Sequence, residues 1–181
     1  FNELPRLRKR FPEFRTKLLT ALERGTADAL VRAENEMRFC ETHAVKVLCL
    51  NDAAYPARLR ECDDAPLCLY YRGTADLNAA HVVSIVGTRR CTEYGKDLCR
   101  RLTSDLAALC PDTLVISGLA YGIDIHAHRG ALDNGLPTVA ILAHGLDRIY
   151  PGCHRATAKT MLERGGLVTE YPTGTRPDKG N

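Results

Sequence analysis

Residues 117–128 read SGLAYGIDIHAH, directly after the apolar run Thr113-Leu114-Val115-Ile116. An apolar strand that leaves through Ser117-Gly118, crosses a small-residue loop and enters a helix near Ile123 is a geometry that seats anions. The first amides of a helix have no partner within it, and the positive end of its dipole lies there. Gly122 stands just before the helix. Asp124 falls in the first helical turn, where its charge suits the dipole.

Outward from this stretch the chain keeps one rhythm. Short apolar runs rich in β-formers stand at 45–50, 67–71, 82–87, 113–118, 138–142 and 167–169. Helical segments at about 94–110, 122–135 and 153–164 fill the longer gaps, the first showing Leu98, Leu102, Leu106 and Leu109 on one side. Apolar strands alternating with helices predict an α/β fold. We expect a Rossmann-like, doubly wound, mostly parallel sheet covered on both faces and extended by strands on its N-terminal side.

Ligands of such sheets gather beyond the carboxyl ends of the strands. The strand end VVSIVGTRRCTEYG (82–95) places Gly87 at the turn, Thr88 beside it, and the guanidinium groups of Arg89 and Arg90 at the rim, suited to two-point contact with phosphate. LAHGLDRIYPG (142–152) offers Gly145, Asp147 and Arg148, with Pro151 at the opening of the next helix. The fingerprints of bound nucleotides are missing. Gly87 is followed by Thr-Arg-Arg and not by the second glycine of G-x-G-x-x-G, and no GxxxxGK[ST] occurs. His126 and His128 stand two apart on a helix, about 200° around its axis, so they cannot share a metal; His128 with Arg129 is expected to pack or hydrogen-bond at the domain surface. No cofactor and no metal is expected.

Residues 1–44 read as helix, with Leu18, Leu19 and Leu22 in helical spacing, Gly25 ending that segment, and Thr26 capping a second one that carries Leu30, Ala33, Met37 and Cys40 on one face. LRKRFPEFRTK (7–17) is a basic stretch, and residues 1–60 hold 12 Lys/Arg against 8 Asp/Glu, a mild excess that permits an anionic partner. Eight cysteines without CxxC or zinc-finger spacing, several in apolar runs (Cys49, Cys68, Cys99, Cys110), read as reduced thiols, which points to the cytoplasm. No run of 18 apolar residues exists, so no membrane contact is expected.

Four motifs in order, VVSIVGTRRCTEYG, VISGLAYGIDIHAHRGAL, PTVAILAHGLDRIYP and GGLVTEYPTGT, together resemble the DNA-processing protein A family (DprA, also called Smf) over residues 45–181. NDAAYPARLRECDDAPLCLYYRG (51–73) is similar to the strand-helix-strand extension before that family's Rossmann core. Residues 1–44 resemble the remnant of its small helical domain, of sterile-alpha-motif-like or helix-hairpin-helix-like type. The resemblance implies a non-enzymatic, cytoplasmic protein that binds and protects single-stranded DNA and loads the recombinase RecA onto it during natural transformation or recombination, as a homodimer when full length. It carries DNA contact to Gly87, Thr88 and Arg89, with Arg90 beside them, and to Ser117, Gly118, Leu119, Ala120, Tyr121, Gly122 and Asp124. Where many members have Lys or Arg, this chain has Tyr121, whose ring can stack on a base and whose hydroxyl can bond a phosphate. The family continues past the position of Asn181, so a fragment lacking the C-terminal part of the sheet is expected. An enzymatic alternative is a nucleoside monophosphate phosphoribohydrolase of related topology. GGLVTEYPTGT has Gly165, Gly166 and Glu170, but not in the PGGxGTxxE arrangement of those enzymes.

Overall fold

The computed structural model describes the backbone of residues 16–177 and the side chains of 28–177. Most of LRKRFPEFRTK (7–17), and the side chains of Leu18, Leu19 and Leu22, lie outside the described residues. The chain divides into two compact units, 1–43 and 44–181.

Among the described residues the first unit holds the helix α1 (Thr16–Thr42), which runs through Gly25 and Thr26 without a break. The expected stop at Gly25 is therefore corrected: a glycine inside a helix costs only ~0.5–1 kcal/mol against alanine, too little to end 27 residues of continuous hydrogen bonding. Of the expected apolar face only Cys40 is buried, while Leu30 and Met37 are about half exposed and Ala33 is exposed.

The second unit is built on six strands: β1 (Lys46–Cys49), β2 (Cys68–Gly73), β3 (Val82–Ser84), β4 (Leu114–Ser117), β5 (Thr138–Ile141) and β6 (Gly166–Thr169). Their order in the sheet is β1-β2-β6-β5-β4-β3. Strands β3 to β6 are mutually parallel, and β1 and β2 join antiparallel beside β6. The Rossmann-like α/β architecture with an N-terminal strand extension is therefore present. The short helix α2 (Ala57–Arg60) lies between β1 and β2, which gives the extension its strand-helix-strand form.

Three crossover helices connect the parallel strands: α3 (Glu93–Leu109), α4 (Ile123–Asp133) and α5 (Arg155–Arg164), the last preceded by a 3₁₀ turn at Gly152–His154. The parallel strands stand in chain order among the described residues, so like-handed crossovers bring all three helices to one face. Alternation along the strands divides the side chains between the two faces. Val115, Ala140 and Leu167 meet the helices through Ala127, Ala131, Ile125, Ala158 and Met161. Leu114, Val139 and Val168 point the other way, into a cluster with Leu48, Leu69, Tyr71 and Tyr55, which Leu59, Leu77 and Ala79 cover. Among the described residues, loops and α2 close that face.

Helix α3 buries a different side from the one expected. Cys99 and Thr103 are buried, whereas Leu98, Leu102 and Leu109 are 46%, 40% and 80% exposed. The cause is a close helix pair: α4 presents Gly130 directly to Thr103, and a Cβ there would collide with the threonine side chain. Of the leucine stripe only Leu106 packs, partly buried, on the core beneath the helix.

Hydroxyls tie the strands together near the site. Ser117 donates to the Ile85 carbonyl at 2.6 Å, Thr138 to Val115 at 3.0 Å and Thr169 to Leu142 at 2.9 Å, all buried. Each bridges one strand to its neighbour and contributes roughly 0.5–1.5 kcal/mol. Together they hold the loops that leave β3, β4 and β5 in fixed relation.

Candidate nucleic-acid interface

The loops after β3 and β4 interlock through Gly122. This residue caps α4 at φ 79° and ψ −126°, and a Cβ built on it would overlap the Thr88 carbonyl and lie 2.7 Å from the Arg89 carbonyl carbon. The Ile123 amide donates to that same Thr88 carbonyl at 3.2 Å. Gly87 rests on the Ile123 side chain, where a Cβ would approach within 2.6 Å. Two glycines thus allow the Gly87-Thr88-Arg89 backbone to lie on the opening of α4.

The meeting of these loops borders a cavity of about 700 Å³. Arg89, Gly118, Ala120 and Tyr121 line one part of it, and Leu142, Ala143, His144, Tyr150 and Pro151 line another. Three strand ends therefore open into one space. Arg90 is exposed nearby, its amide held by the Thr88 hydroxyl, and does not line the cavity.

The remaining residues singled out from the sequence support the loop from within. Ser117 and Leu119 are buried, the latter wholly, in the core between β5 and the helices. Asp124 is 5% exposed; one carboxylate oxygen accepts from the Ala120 amide at 3.3 Å, beneath Gly118, where a Cβ would come within 2.7 Å of it. Asp124 and the Thr88 carbonyl thus already occupy two of the amides at the opening of α4. The cation at the rim is Arg89.

Histidines brace the same loop. Leu119 adopts φ 61°, unusual for a residue with a side chain, and its carbonyl accepts from Nδ1 of buried His154 at 2.8 Å. His154 also stands edge-on to Tyr121, ring centroids 5.2 Å apart. A hydrogen bond between the Tyr121 hydroxyl and Cys153 raises the phenol above its ordinary pKa. His128, expected at the surface, is instead fully buried, with Nδ1 2.7 Å from the Thr138 hydroxyl. Burial and the nearby His154 push its pKa down to about 3, so it is neutral in the fold. It faces the core because α4 turns Ile125, Ala127, His128 and Ala131 inward.

The third strand end contributes other residues than those read from the sequence. Gly145, Asp147 and Arg148 fasten the loop to residues 172–175: the Gly145 amide donates to Thr175, and Asp147 accepts from Arg148 at 2.8 Å and from the Gly174 amide at 3.2 Å. Burial tends to raise the Asp147 pKa, but these hydrogen bonds and the Arg148 charge outweigh it and leave it lowered. Leu142, His144 and Tyr150, which the sequence reading left aside, reach the cavity instead. Strand alternation could have marked Leu142, but nothing local marks the two loop residues.

None of the eight cysteines is in a disulfide; Cys99 is buried as a core hydrophobe, whereas Cys49 is exposed despite its apolar neighbours. Among the described residues no three His, Cys, Asp or Glu side chains gather as metal ligands, and no helix is long and apolar enough to cross a membrane.

Fold and cavity together define a Rossmann-like domain with a cavity at its strand ends. The chain belongs to the DNA recombination-mediator protein A family, whose sequence profile matches residues 46–181. It is 46% identical over 123 residues to a putative DNA processing protein DprA of Mycobacterium tuberculosis, covering 67% of this chain and 31% of that protein. It is 36% identical over 154 residues to protein Smf of Synechocystis, covering 81% and 38% respectively. The chain thus spans about a third of the length of these relatives. Its fold matches the crystal structure of DprA from Streptococcus pneumoniae with a TM-score of 0.67 at 32% identity, over 75% of this chain and 47% of the other. It also matches DNA processing protein A from Helicobacter pylori, whose structure was described for its single-stranded DNA binding mode. That match has a TM-score of 0.64 at 29% identity, over 75% and 60%.

Proposed function

We propose that this domain binds single-stranded DNA along the rim formed by the Gly87–Arg90 and Ser117–Asp124 loops, and that the full-length protein protects the strand and loads RecA onto it. The observation that carries the reading is the seating of Thr88 and Arg89 on Gly122, which brings a guanidinium to the same cavity as Gly118, Ala120 and Tyr121. A single strand needs charge to follow its phosphates and contacts to its bases that do not depend on sequence. Arg89 supplies the first and Tyr121, 49% exposed, the second. Such contacts address the backbone and the ring faces, so sequence preference is weak. The single-stranded DNA described for the Helicobacter pylori relative supports this partner. A role in natural transformation or recombination, homodimer formation and a cytoplasmic location belong to the same proposal and rest on family membership.

The test is a salt titration of oligo-dT binding. Arg89→Ala weakens binding and lowers the slope of log K against log[salt] by about 0.7, as for one lost phosphate contact. Unchanged affinity and slope refute Arg89 as the phosphate contact. Incubation with nucleoside monophosphates separates this reading from the phosphoribohydrolase one: release of free base would establish the enzyme.

A further inference from the structure

We infer that Cys49 and Cys68 are a redox-modification site, where a reversible disulfide across β1 and β2 clamps the strand-helix-strand extension. The site is independent of the proposed DNA contacts, since neither residue lines the cavity. The sheet register makes the two cysteines direct partners in the antiparallel β1–β2 pair. Leu48 and Leu69, one residue further in, are buried in the core, so alternation turns both thiols to the opposite face of the sheet. The Leu50 amide donates to the Leu67 carbonyl at 3.0 Å, which makes the next position outward a hydrogen-bonded one. The Cys49 amide donates instead to an Asp52 carboxylate oxygen at 2.7 Å. Cys49–Cys68 is therefore a non-hydrogen-bonded pair, the kind whose Cα atoms stand about 4.5 Å apart and whose side chains are closest. A disulfide spans Cα separations of ~4.4–6.8 Å, so the bond forms without moving one strand past the other.

Access follows from position. Cys49 is exposed and Cys68 partly buried. Among the described residues β1 is the end strand of the sheet, with β2 as its neighbour. The Asp52 amide donates back to the Cys49 carbonyl at 2.8 Å, so the chain turns just past the pair and the thiols stand at a strand end. Residues 50–67, which the bond encloses, carry α2 and the fully buried Tyr55, whose hydroxyl donates to the Pro66 carbonyl at 2.8 Å. Closing that loop limits how far the segment can open.

The oxidant is a small-molecule disulfide. The Cys49 thiolate attacks one sulfur of oxidised glutathione, forming a mixed disulfide and expelling one glutathione thiolate. The Cys68 thiolate then attacks the Cys49 sulfur and expels the second. Two protein thiols thus give up two protons and two electrons, and two glutathione thiols form.

The chain is equilibrated with graded ratios of oxidised to reduced glutathione, quenched by alkylation and mapped by peptide mass spectrometry. The Cys49–Cys68 cross-link appears at a less oxidising ratio than any other, and dithiothreitol reverses it. Cys62 and Cys153 are exposed but neither lies in a strand, and they stop at single glutathione adducts. Cys68→Ser leaves Cys49 as such an adduct too. Amide exchange reads the clamp: in the cross-linked chain residues 46–60 exchange about tenfold or more slowly than in the reduced chain, and Cys68→Ser shows no slowing. Stable adducts on both Cys49 and Cys68 of the wild-type chain, or a cross-link of either to Cys62, overturn the pairing. A Cys49–Cys68 bond that leaves exchange unchanged overturns the clamp.

Discussion

Replacing Gly122 by alanine separates two effects that a glycine at positive φ usually combines. At φ 79° and ψ −126° an L-residue sits outside the regions open to it, which costs about 1–3 kcal/mol. The new Cβ also overlaps the Thr88 carbonyl and approaches Arg89 backbone at 2.7 Å. Those atoms belong to main chain and cannot rotate away, so the loops must part, at a further ~1–3 kcal/mol. The expected loss is about 3 kcal/mol or more. Gly135 provides the control: it has φ 76°, follows the end of α4, and would meet only the flexible end of Arg164 at 3.5 Å. Gly135→Ala therefore costs only ~1–2 kcal/mol, the conformational part alone. Urea unfolding of both variants measures the difference, and an oligo-dT salt titration tests the consequence. Gly122→Ala shifts the Thr88 backbone and displaces Arg89 from the cavity, weakening binding and flattening the salt dependence, while Gly135→Ala binds as wild type. If the two variants lose equal stability and Gly122→Ala keeps full affinity, the interlocked loops do not hold Arg89 in place.

Two further outcomes concern the buried histidines. His128 is neutral in the fold with a pKa of about 3, against roughly 6.5 in the unfolded chain, so its contribution is complete above pH 6.5 and is lost as pH falls from there toward 3. At pH 5 the loss is about 2 kcal/mol, and the urea midpoints at pH 7.5 and 5 should differ less in His128→Gln than in wild type; equal pH dependence rejects the assignment. His154→Ala leaves the Leu119 carbonyl, at its unusual φ of 61°, without its donor. A loss of about 1–3 kcal/mol and faster amide exchange in 117–122 are expected, and unchanged exchange argues against a bracing role.

Much of the fold was legible because local pattern and tertiary role agreed. All six strands lie at or within about two residues of the apolar runs, and the three crossover helices fill the gaps between them. The agreement ends where a partner decides. Gly25 is a helix breaker only if nothing else ends or continues the helix, and α1 continues. The leucines of α3 have core spacing, yet Gly130 admits Thr103 and rotates that side inward. His128 reads as a surface group beside Arg129 until Thr138, from the following strand, gives its ring a buried partner.

The candidate site divides in the same way. Gly87, Arg89, Gly118 and Gly122 could be read from the chain alone, because a strand end followed by glycine and then a helix constrains the backbone whatever lies around it. Periodicity and turn chemistry are local, acting over a few residues, so sequence by itself determined the α/β class and the loops on which recognition would lie. That Thr88 rests on Gly122, and that Tyr150 and His144 join Tyr121 around one cavity, are facts about residues 23 to 34 positions apart. Those were decided only by the tertiary structure, since strand order and hydroxyl ties between neighbouring strands set which loops meet, and no local preference encodes that meeting.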